Sequence, residues 1–330
     1  MRLPTLEEIR ATQTIVYSAM PPTPQYTWRL LNQRLSGDGA AVEAWVKHEN
    51  HSPVGAFKLR GALVYAKWLK EIQPSLQTLV AATRGNHGQG VGMAARLLGL
   101  QAIIVVPHGN SREKNLAMQA QGVQLIEHGE DFQASLEYAR ELAAAPNHAM
   151  VESIHECLVK GTATYALEFF EGAPKLDTIY VPIGMGSSIC GVTAARNALG
   201  LKTEIVGVVA AAAPAHAISF REHNVIAAPA ETKIADGLAC RQPNPDAMQI
   251  IWDNIARVVE VSDHQIEAAM RVYYEDTHNL AEGAAAAALA AALQEKQQLA
   301  GKTIGLICTG GNVDRDVYAR VLLASGEETR

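Results

Sequence analysis

Short runs of branched aliphatic residues alternate with helix-like segments along this chain, and that alternation limits the possible folds more than any other feature. The runs are continuously apolar, as in Ile-Ile-Val-Val at 103–106. Such runs are typical of parallel strands that are buried on both faces of a sheet. The predicted strands cover residues 79–82, 102–107, 123–126, 178–183, 204–209 and 303–308. We therefore predict a doubly wound α/β protein with active-site loops at the carboxyl ends of its strands.

Helix patterns lie between and after these strands. They cover residues 88–98, 112–121, 132–145 and 191–199. The segment 283–293, GAAAAALAAAL, is almost uniformly small and apolar. A helix that is apolar on all sides is normally buried, so this segment predicts a helix packed closely against a sheet.

The composition excludes several classes of protein. The 330 residues include 28 Lys and Arg against 34 Asp and Glu, which gives a formal net charge of −6. Such a mildly acidic chain is a poor candidate for binding nucleic acid or an anionic membrane. No apolar run is long enough to span a bilayer, and no export segment is recognisable. The cysteines are far apart with no CxxC pair, so we expect a cytoplasmic protein without a disulfide framework.

Two loops in the first third of the chain carry residues suited to catalysis. Lys58 begins an apolar helix beside Phe57, where partial desolvation would lower its pKa and make it a usable nucleophile or base. A second loop reads Thr83-Arg84-Gly85-Asn86-His87. Its glycine permits close backbone approach, and the Asn86 amide can bind an anion or a ring oxygen. A surface lysine and an ordinary turn remain the alternatives.

Two later loops extend this pattern. Gly184-Met185-Gly186-Ser187-Ser188 joins a predicted strand to a helix, a geometry that suits a phosphate. A dinucleotide site would need an acid about 20 residues later. Val208-Val209-Ala210-Ala211 stands there instead, which favours a smaller phosphate-bearing cofactor. The last loop, Thr309-Gly310-Gly311-Asn312, places a hydroxyl where it can bind a ligand heteroatom. Plain turns are again the alternatives.

Other catalytic motifs are missing from the sequence. The histidines form no HExxH motif, and the pair His48 and His51 is weak evidence for a metal, so we predict no metal site. There is no GxSxG motif, so a serine hydrolase has no support.

The order of these motifs resembles the threonine/serine dehydratase family, which are pyridoxal-phosphate (PLP) enzymes of fold type II. The motifs are GAFKLRGA, GNHGQG, GMGS, IADGLA and TGGN, at residues 55–62, 85–90, 184–187, 234–239 and 309–312. The resemblance implies two doubly wound parallel-sheet domains with the cofactor in the cleft between them. Residues 1–77 and 151–330 would form the large cofactor-binding domain, and residues 78–150 a small mobile domain. It also implies a homodimer.

The resemblance assigns a role to each loop. Lys58 would hold PLP through its ε-amine and later remove the Cα proton. Asn86 would hydrogen-bond the 3′-oxygen of PLP, and Thr309 would face the pyridine nitrogen. The cofactor-binding residues would be Phe57, Lys58, Asn86, Gly184, Met185, Gly186, Ser187, Ser188 and Thr309. The substrate-binding residues would be Thr83, Arg84, Gly85, Asn86 and His87.

Three departures from the family pattern affect the expected activity. Met185 and Ser187 replace two glycines of the phosphate loop. Val209 replaces the expected cation-binding glutamate, which makes a divalent-cation requirement doubtful. Arg84 replaces the residue that serves as the second base in racemases, and arginine is a poor base. Arg84 is instead suited to clamp a carboxylate or to stack on an aryl group.

We therefore predict a PLP-dependent dehydratase, or ammonia-lyase, acting on an L-β-hydroxy-α-amino acid. Threonine or serine is the general expectation, and phenylserine is the more specific one. A serine racemase-like isomerase and a 3-hydroxyaspartate dehydratase are the alternative enzymes. A PLP-carrying protein without catalytic activity is the alternative outside the enzymes.

Overall fold

The computed structural model describes residues 1–324, and within them it contains two sheets flanked by helices. The larger sheet has six strands, in the order β1-β2-β10-β7-β8-β9. Neighbouring strands are parallel except for β1, which is antiparallel to β2. The strands are β1 (Gln25–Thr27), β2 (Glu43–His48), β7 (Thr178–Pro182), β8 (Glu204–Ala210), β9 (Arg257–Val261) and β10 (Thr303–Cys308).

The smaller sheet is entirely parallel. Its order is β5-β4-β3-β6. Its strands are β3 (Thr78–Ala82), β4 (Gln101–Val106), β5 (Gln124–Glu127) and β6 (His148–Met150). All six strands expected from the sequence are present within one residue of their expected ends, which confirms the doubly wound α/β class. The strands β1, β2, β6 and β9 were not predicted.

Thirteen helices are assigned in the described residues. They are α1 (Leu6–Tyr17), α2 (Arg29–Ser36), α3 (Lys58–Ile72), α4 (Asn86–Leu97), α5 (Arg112–Gln119), α6 (Phe132–Ala143), α7 (Glu156–Gly172), α8 (Ser187–Ala198), α9 (Ala215–Glu222), α10 (Pro245–Asn254), α11 (Asp263–Thr277), α12 (Gly283–Gln294) and α13 (Arg315–Leu323). None of the helices in residues 1–324 combines the length and apolarity that crossing a membrane requires.

Two helices begin earlier than the sequence pattern indicated. Helix α4 starts at Asn86 instead of 88, and α8 starts at Ser187 instead of 191. The residues added at these helix starts, 86–87 and 187–190, were predicted to be loop. Each helix has a glycine at its N-cap, Gly85 or Gly186, where glycine is well tolerated although it is a weak helix former within a helix. Residues expected to bind a ligand consequently stand on helix N-termini.

The small, apolar segment forms the buried helix that its composition predicts. Residues 283–292 of α12 are all buried, and residues 284–292 belong to the core of the larger sheet. The separate core of the smaller sheet includes Leu79, Val91 and Ile104. The two sheets thus have distinct cores, and the carboxyl ends of β3, β7 and β10 lead into the same pocket.

The helix that carries Lys58 is anchored by a buried ion-pair network. Arg60 donates to Glu49 at 2.8 Å and to Glu168 at 2.6 Å, and Lys47 also donates to Glu168 at 2.6 Å. All four side chains are buried or nearly so. The network ties the first turn of α3 to α7 and to the end of β2, and it fixes where Lys58 stands.

Candidate active site

One pocket brings together every site residue that the sequence predicts. It lies where strands β3, β7 and β10 end, between the smaller and larger sheets. The predicted residues that line it are Phe57, Lys58, Thr83, Arg84, Gly85, Asn86, His87, Gly184, Met185, Gly186, Ser187, Ser188 and Thr309. Residues separated by more than 200 positions in the chain thus share one cleft.

Lys58 is the first residue of α3 and is open to the pocket on one side. Its Nζ lies 4.9 Å from the centroid of the Phe57 ring, and Phe57 itself packs edge-on against Tyr165. Burial lowers the pKa of Lys58 to about 8, and the attraction of Glu282 opposes that effect only in part. An amine with such a pKa is partly neutral near pH 8, and a neutral amine is the nucleophilic and basic form.

The loop at 184–188 is shaped by two glycines. A Cβ on Gly184 would collide with the backbone oxygen of Gly237, and Gly186 has a φ of +103°, which favours glycine. Helix α8 begins directly afterwards, so its first backbone amides and its positive dipole end face the pocket. The Ser188 hydroxyl lies 2.6 Å from the hydroxyl of Tyr165. We call residues 184–188 the anion cradle, because a glycine turn that leads into a helix N-terminus suits an anion.

Thr309 closes another side of the pocket. It is buried, and its backbone oxygen accepts a hydrogen bond of 3.0 Å from the amide of Phe57. The Thr309 backbone thereby ties the end of β10 to the residue before Lys58. Because this hydrogen bond joins the two segments, the Thr309 hydroxyl and the Lys58 amine are held in the same pocket.

Arg84 and His87 differ sharply in their environments. Arg84 is exposed at the pocket, and within residues 1–324 its guanidinium makes no hydrogen bond or ion pair. His87 is buried, and its Nε2 has no hydrogen-bond partner among the described residues. Burial, together with repulsion from Lys58, lowers the pKa of His87 to about 4, so the ring is neutral at pH 7. Of these two side chains, Arg84 is therefore the one that carries a charge and is available to a ligand.

The structure adds an ionic cluster that sequence reasoning missed. Lys114, on the first turn of α5, donates to Asp236 at 2.6 Å and lies 3.8 Å from Glu282. Glu282 in turn accepts a hydrogen bond of 2.6 Å from the Asn86 amide. Burial raises the pKa of Glu282, although Lys114 and the bond from Asn86 oppose this. An isolated acid before an apolar helix is the signal that could have drawn attention to Glu282.

The residues of the pocket fit PLP. The anion cradle suits its phosphate, the desolvated lysine suits its aldehyde, and the Asn86 amide and Thr309 hydroxyl supply neutral polar groups for its ring. His87 Nε2 adds a buried polar atom that lacks a partner. By contrast, residues 1–324 contain no group of three or more His, Cys, Asp or Glu side chains arranged to hold a metal ion.

The sequence matches the pyridoxal-phosphate dependent enzyme family over residues 18–310. The chain belongs to this family. The L-threo-3-hydroxyaspartate ammonia-lyase of Saccharomyces cerevisiae is 31% identical over 329 residues, which cover 99% of this chain and 98% of that one. The L-threonine ammonia-lyase of Thermotoga maritima is 28% identical over 96% of this chain and 78% of its own length.

Solved structures of family members share the fold. The structure of maize serine racemase superposes with a TM-score of 0.89 at 27% identity and covers 97% of each chain. The predicted resemblance to fold type II PLP enzymes is therefore confirmed, and so is PLP as the cofactor of the family.

Proposed function

We propose that this protein is a PLP-dependent ammonia-lyase that converts an L-β-hydroxy-α-amino acid to a 2-oxo acid and ammonia. The observation that carries the proposal is the desolvated Lys58 in one pocket with an anion cradle and a neutral hydroxyl. The substrate loses its Cα proton and its β-hydroxyl as water. Hydrolysis of the resulting enamine, through its imine, then takes up one water and releases ammonia. Its relatives include ammonia-lyases for threonine and for 3-hydroxyaspartate, which supports this reaction.

The roles of the pocket residues follow from their chemistry. Lys58, with Phe57 against its amine, would hold PLP and then take the Cα proton, since its low pKa leaves a neutral fraction near pH 8. The backbone and hydroxyls at 184–188 would hold the phosphate. The Asn86 amide would bind the 3′-oxygen, and the Thr309 hydroxyl would face the pyridine nitrogen. When bound, PLP supplies the electron sink for the charge that develops at Cα.

Arg84 is proposed to select the substrate, with Thr83, Gly85, Asn86 and His87 forming the rest of the substrate loop. It is exposed at the pocket, and none of the described residues neutralises it. A guanidinium in that state suits a carboxylate, by a bidentate contact, or an aryl ring, by stacking. A contact with a side-chain carboxylate favours 3-hydroxyaspartate, which is the substrate in the name of the yeast relative. Stacking on an aryl ring favours phenylserine. The side chain of threonine or serine offers neither group. The α-carboxylate that all these substrates share is the other carboxylate that suits Arg84.

A racemase is the second candidate, because serine racemase from maize has a closely similar structure. Racemisation needs a second base on the face of Cα opposite Lys58. In this chain the substrate loop offers Arg84, which stays protonated, and His87, whose Nε2 is buried. The loop therefore favours elimination over racemisation.

The test measures the release of 2-oxo acid by the PLP-loaded protein. L-Threonine, L-serine, L-threo-phenylserine and L-threo-3-hydroxyaspartate are compared, each with and without a chelator. We expect a clear preference for one substrate, unaffected by the chelator, and no turnover in Lys58→Ala. Failure to release oxo acid from any of the four by a PLP-loaded protein would overturn the ammonia-lyase proposal.

Arg84→Ser tests the selectivity. Loss of a charged hydrogen-bonding partner should lower kcat/KM for the preferred substrate by about tenfold or more relative to the other three. Arg96→Ser is the matched control, because Arg96 is an exposed arginine near the far end of α4, the helix that begins two residues after Arg84. Equal relative rates in wild type and Arg84→Ser would show that Arg84 does not select the substrate. Arg84→Lys separates charge from planarity, since lysine keeps the charge and loses the fork.

We further propose that residues 78–150 form a small mobile domain and that residues 1–77 and 151–330 form the large one. The smaller sheet falls within 78–150, which supports this division, although residues 325–330 lie outside the described part of the chain. We also propose a cytoplasmic homodimer. The four cysteines are buried and unpaired, as expected in a reducing compartment.

A further inference from the structure

The amide of Asn86 is held on both sides by polar side chains from distant parts of the chain. Asn312 Nδ2 donates to Asn86 Oδ1 at 2.8 Å, and Asn86 Nδ2 donates to Glu282 Oε1 at 2.6 Å. Asn312 follows β10, Glu282 precedes α12, and Asn86 begins α4. Three separate elements therefore meet at this one side chain.

The orientation of the Asn86 amide is determined by these contacts. Asn312 Nδ2 also donates to the backbone oxygen of Val54 at 2.9 Å, and a carbonyl oxygen can only accept. The Asn312 amide cannot be flipped without losing this bond. Its other N–H therefore requires an acceptor, and Asn86 must present Oδ1 to it. The Asn86 Nδ2 group then faces Glu282, whose carboxylate accepts.

One N–H of Asn86 remains after these bonds are made. The asparagine amide has two N–H groups, and Glu282 takes one of them. None of the other described residues accepts from Asn86 Nδ2, and the side chain is half-buried at the pocket. Asn312 and Glu282 together therefore prevent the Asn86 amide from flipping and keep its N–H donors in one orientation.

Burial of the Glu282 carboxylate at this position costs free energy of folding. It is buried, and its Oε2 makes no hydrogen bond among the described residues. The charged groups that face it are Lys58 from α3, Lys114 from α5 and Asp236, with the Cys308 thiol nearby on β10. Buried polar atoms without partners are rare and call for an explanation. The positioning of Asn86 explains why a buried glutamate stands here, whereas the packing of the alanine-rich helix α12 does not.

We propose that Asn312 and Glu282 are positioning residues that orient the Asn86 amide so that its remaining N–H serves the bound cofactor. The proposal rests on the proposed function in one respect, namely that Asn86 contacts PLP. Neither residue is assigned a contact with PLP or substrate. Asn312 sets the oxygen side of the amide, and Glu282 sets the nitrogen side.

The test measures PLP affinity, by titration of the cofactor-free protein, and the visible absorption of the bound cofactor. Asn312→Asp presents an acceptor to Asn86 Oδ1, so the Asn86 amide should turn. We expect PLP binding to weaken by about tenfold or more and the absorption maximum to shift. Asn86→Ala should have similar effects, and the double variant should be no worse than Asn86→Ala alone.

Two substitutions of Glu282 test the nitrogen side of the Asn86 amide independently. Glu282→Leu removes the acceptor and should weaken PLP binding to a similar extent. Glu282→Gln keeps an amide oxygen in the same place and should restore affinity to within about threefold of wild type. Asn197→Asp is the matched control, because Asn197 bonds Asn254 in another asparagine pair at the surface, away from the pocket. It should leave both readouts unchanged.

The outcomes separate the role assigned to Asn86 from the positioning role of Asn312 and Glu282. If Asn86→Ala leaves PLP affinity and the spectrum unchanged, the assigned role of Asn86 is wrong and the positioning proposal falls with it. If Asn86→Ala has its expected effect but Asn312→Asp and Glu282→Leu do not, only the positioning proposal is overturned. Additive losses in the double variant would also overturn it. Thermal unfolding of each cofactor-free variant separates misfolding from a loss of orientation.

Discussion

Replacing Lys58 by methionine should make the cofactor-free protein more stable, although it abolishes activity. Burial lowers the pKa of Lys58 from 10.5 to about 8. At about 1.36 kcal/mol per pH unit, the charged amine therefore costs the folded state about 3 kcal/mol. This net shift already includes the attraction of Glu282. Because Lys58 is partly open to the pocket, solvent screening reduces the gain, and we expect about 2 kcal/mol at pH 7.

The gain should depend on pH in a defined direction. The pKa of Lys58 is lower in the folded state, so the folded protein binds fewer protons between about pH 8 and pH 10.5. Below about pH 8 the amine is charged in both states, and the folded wild type carries the full cost. Above pH 10.5 the amine is neutral in both states and the cost is gone. The advantage of Lys58→Met should therefore be constant below pH 8 and vanish as the pH rises towards 10.5.

Urea and thermal unfolding of the cofactor-free proteins measure this effect. An unfolding entropy of about 2.1 cal/mol/K per residue converts 2 kcal/mol to a Tm increase of about 3 °C for a chain of this length. Lys67→Met is the control, because Lys67 lies on the same helix but is exposed and pairs with Glu71 at 2.8 Å. It should change stability by less than about 0.5 kcal/mol. No gain in Lys58→Met, or a gain that persists unchanged to pH 10.5, would refute the desolvation argument.

Two further substitutions test the support around the site. Arg60→Leu leaves Glu49 and Glu168 buried without their main partner, and it should lower the free energy of unfolding by about 3 to 5 kcal/mol. A urea midpoint equal to wild type would contradict that. Gly186→Ala forces a side chain onto a φ of +103°, at a cost of about 1 to 2 kcal/mol, and should weaken PLP binding by about tenfold. Unchanged PLP titration would show that the loop conformation is not needed for binding.

The strands that were predicted from the sequence have uninterrupted apolar runs. The strands that were missed are either very short or contain polar residues whose partners come from distant parts of the chain. Strands β1 and β6 have three residues each, too few to show a pattern. Strand β2 contains Lys47 and His48, which are both buried. Lys47 is satisfied by Glu168, more than 100 residues away, and His48 accepts from Trp28. No local pattern indicates such partners.

The same reason divides the pocket into a predicted and an unpredicted part. Lys58, Asn86 and the 184–188 loop stand in short motifs whose glycines and polar groups reveal their chemistry locally. Lys114 and Glu282 stand in an ordinary helix and before an alanine-rich one. Their importance arises only when the cleft brings Lys114 within 3.8 Å of Glu282. A charge that is paired across the fold looks like a surface charge in the sequence.

The small residues before and within α12 explain how that cluster is assembled. A Cβ on Gly283 would collide with the backbone oxygen of Ile234, so this glycine lets the start of α12 touch the segment that leads to Asp236. Gly237, in the same segment, approaches Gly184 through its backbone oxygen. The anion cradle and the start of α12 therefore both contact the segment that contains Ile234 and Gly237. Because each contact depends on a missing side chain, Glu282 and the cradle reach the same pocket only while these positions remain glycine.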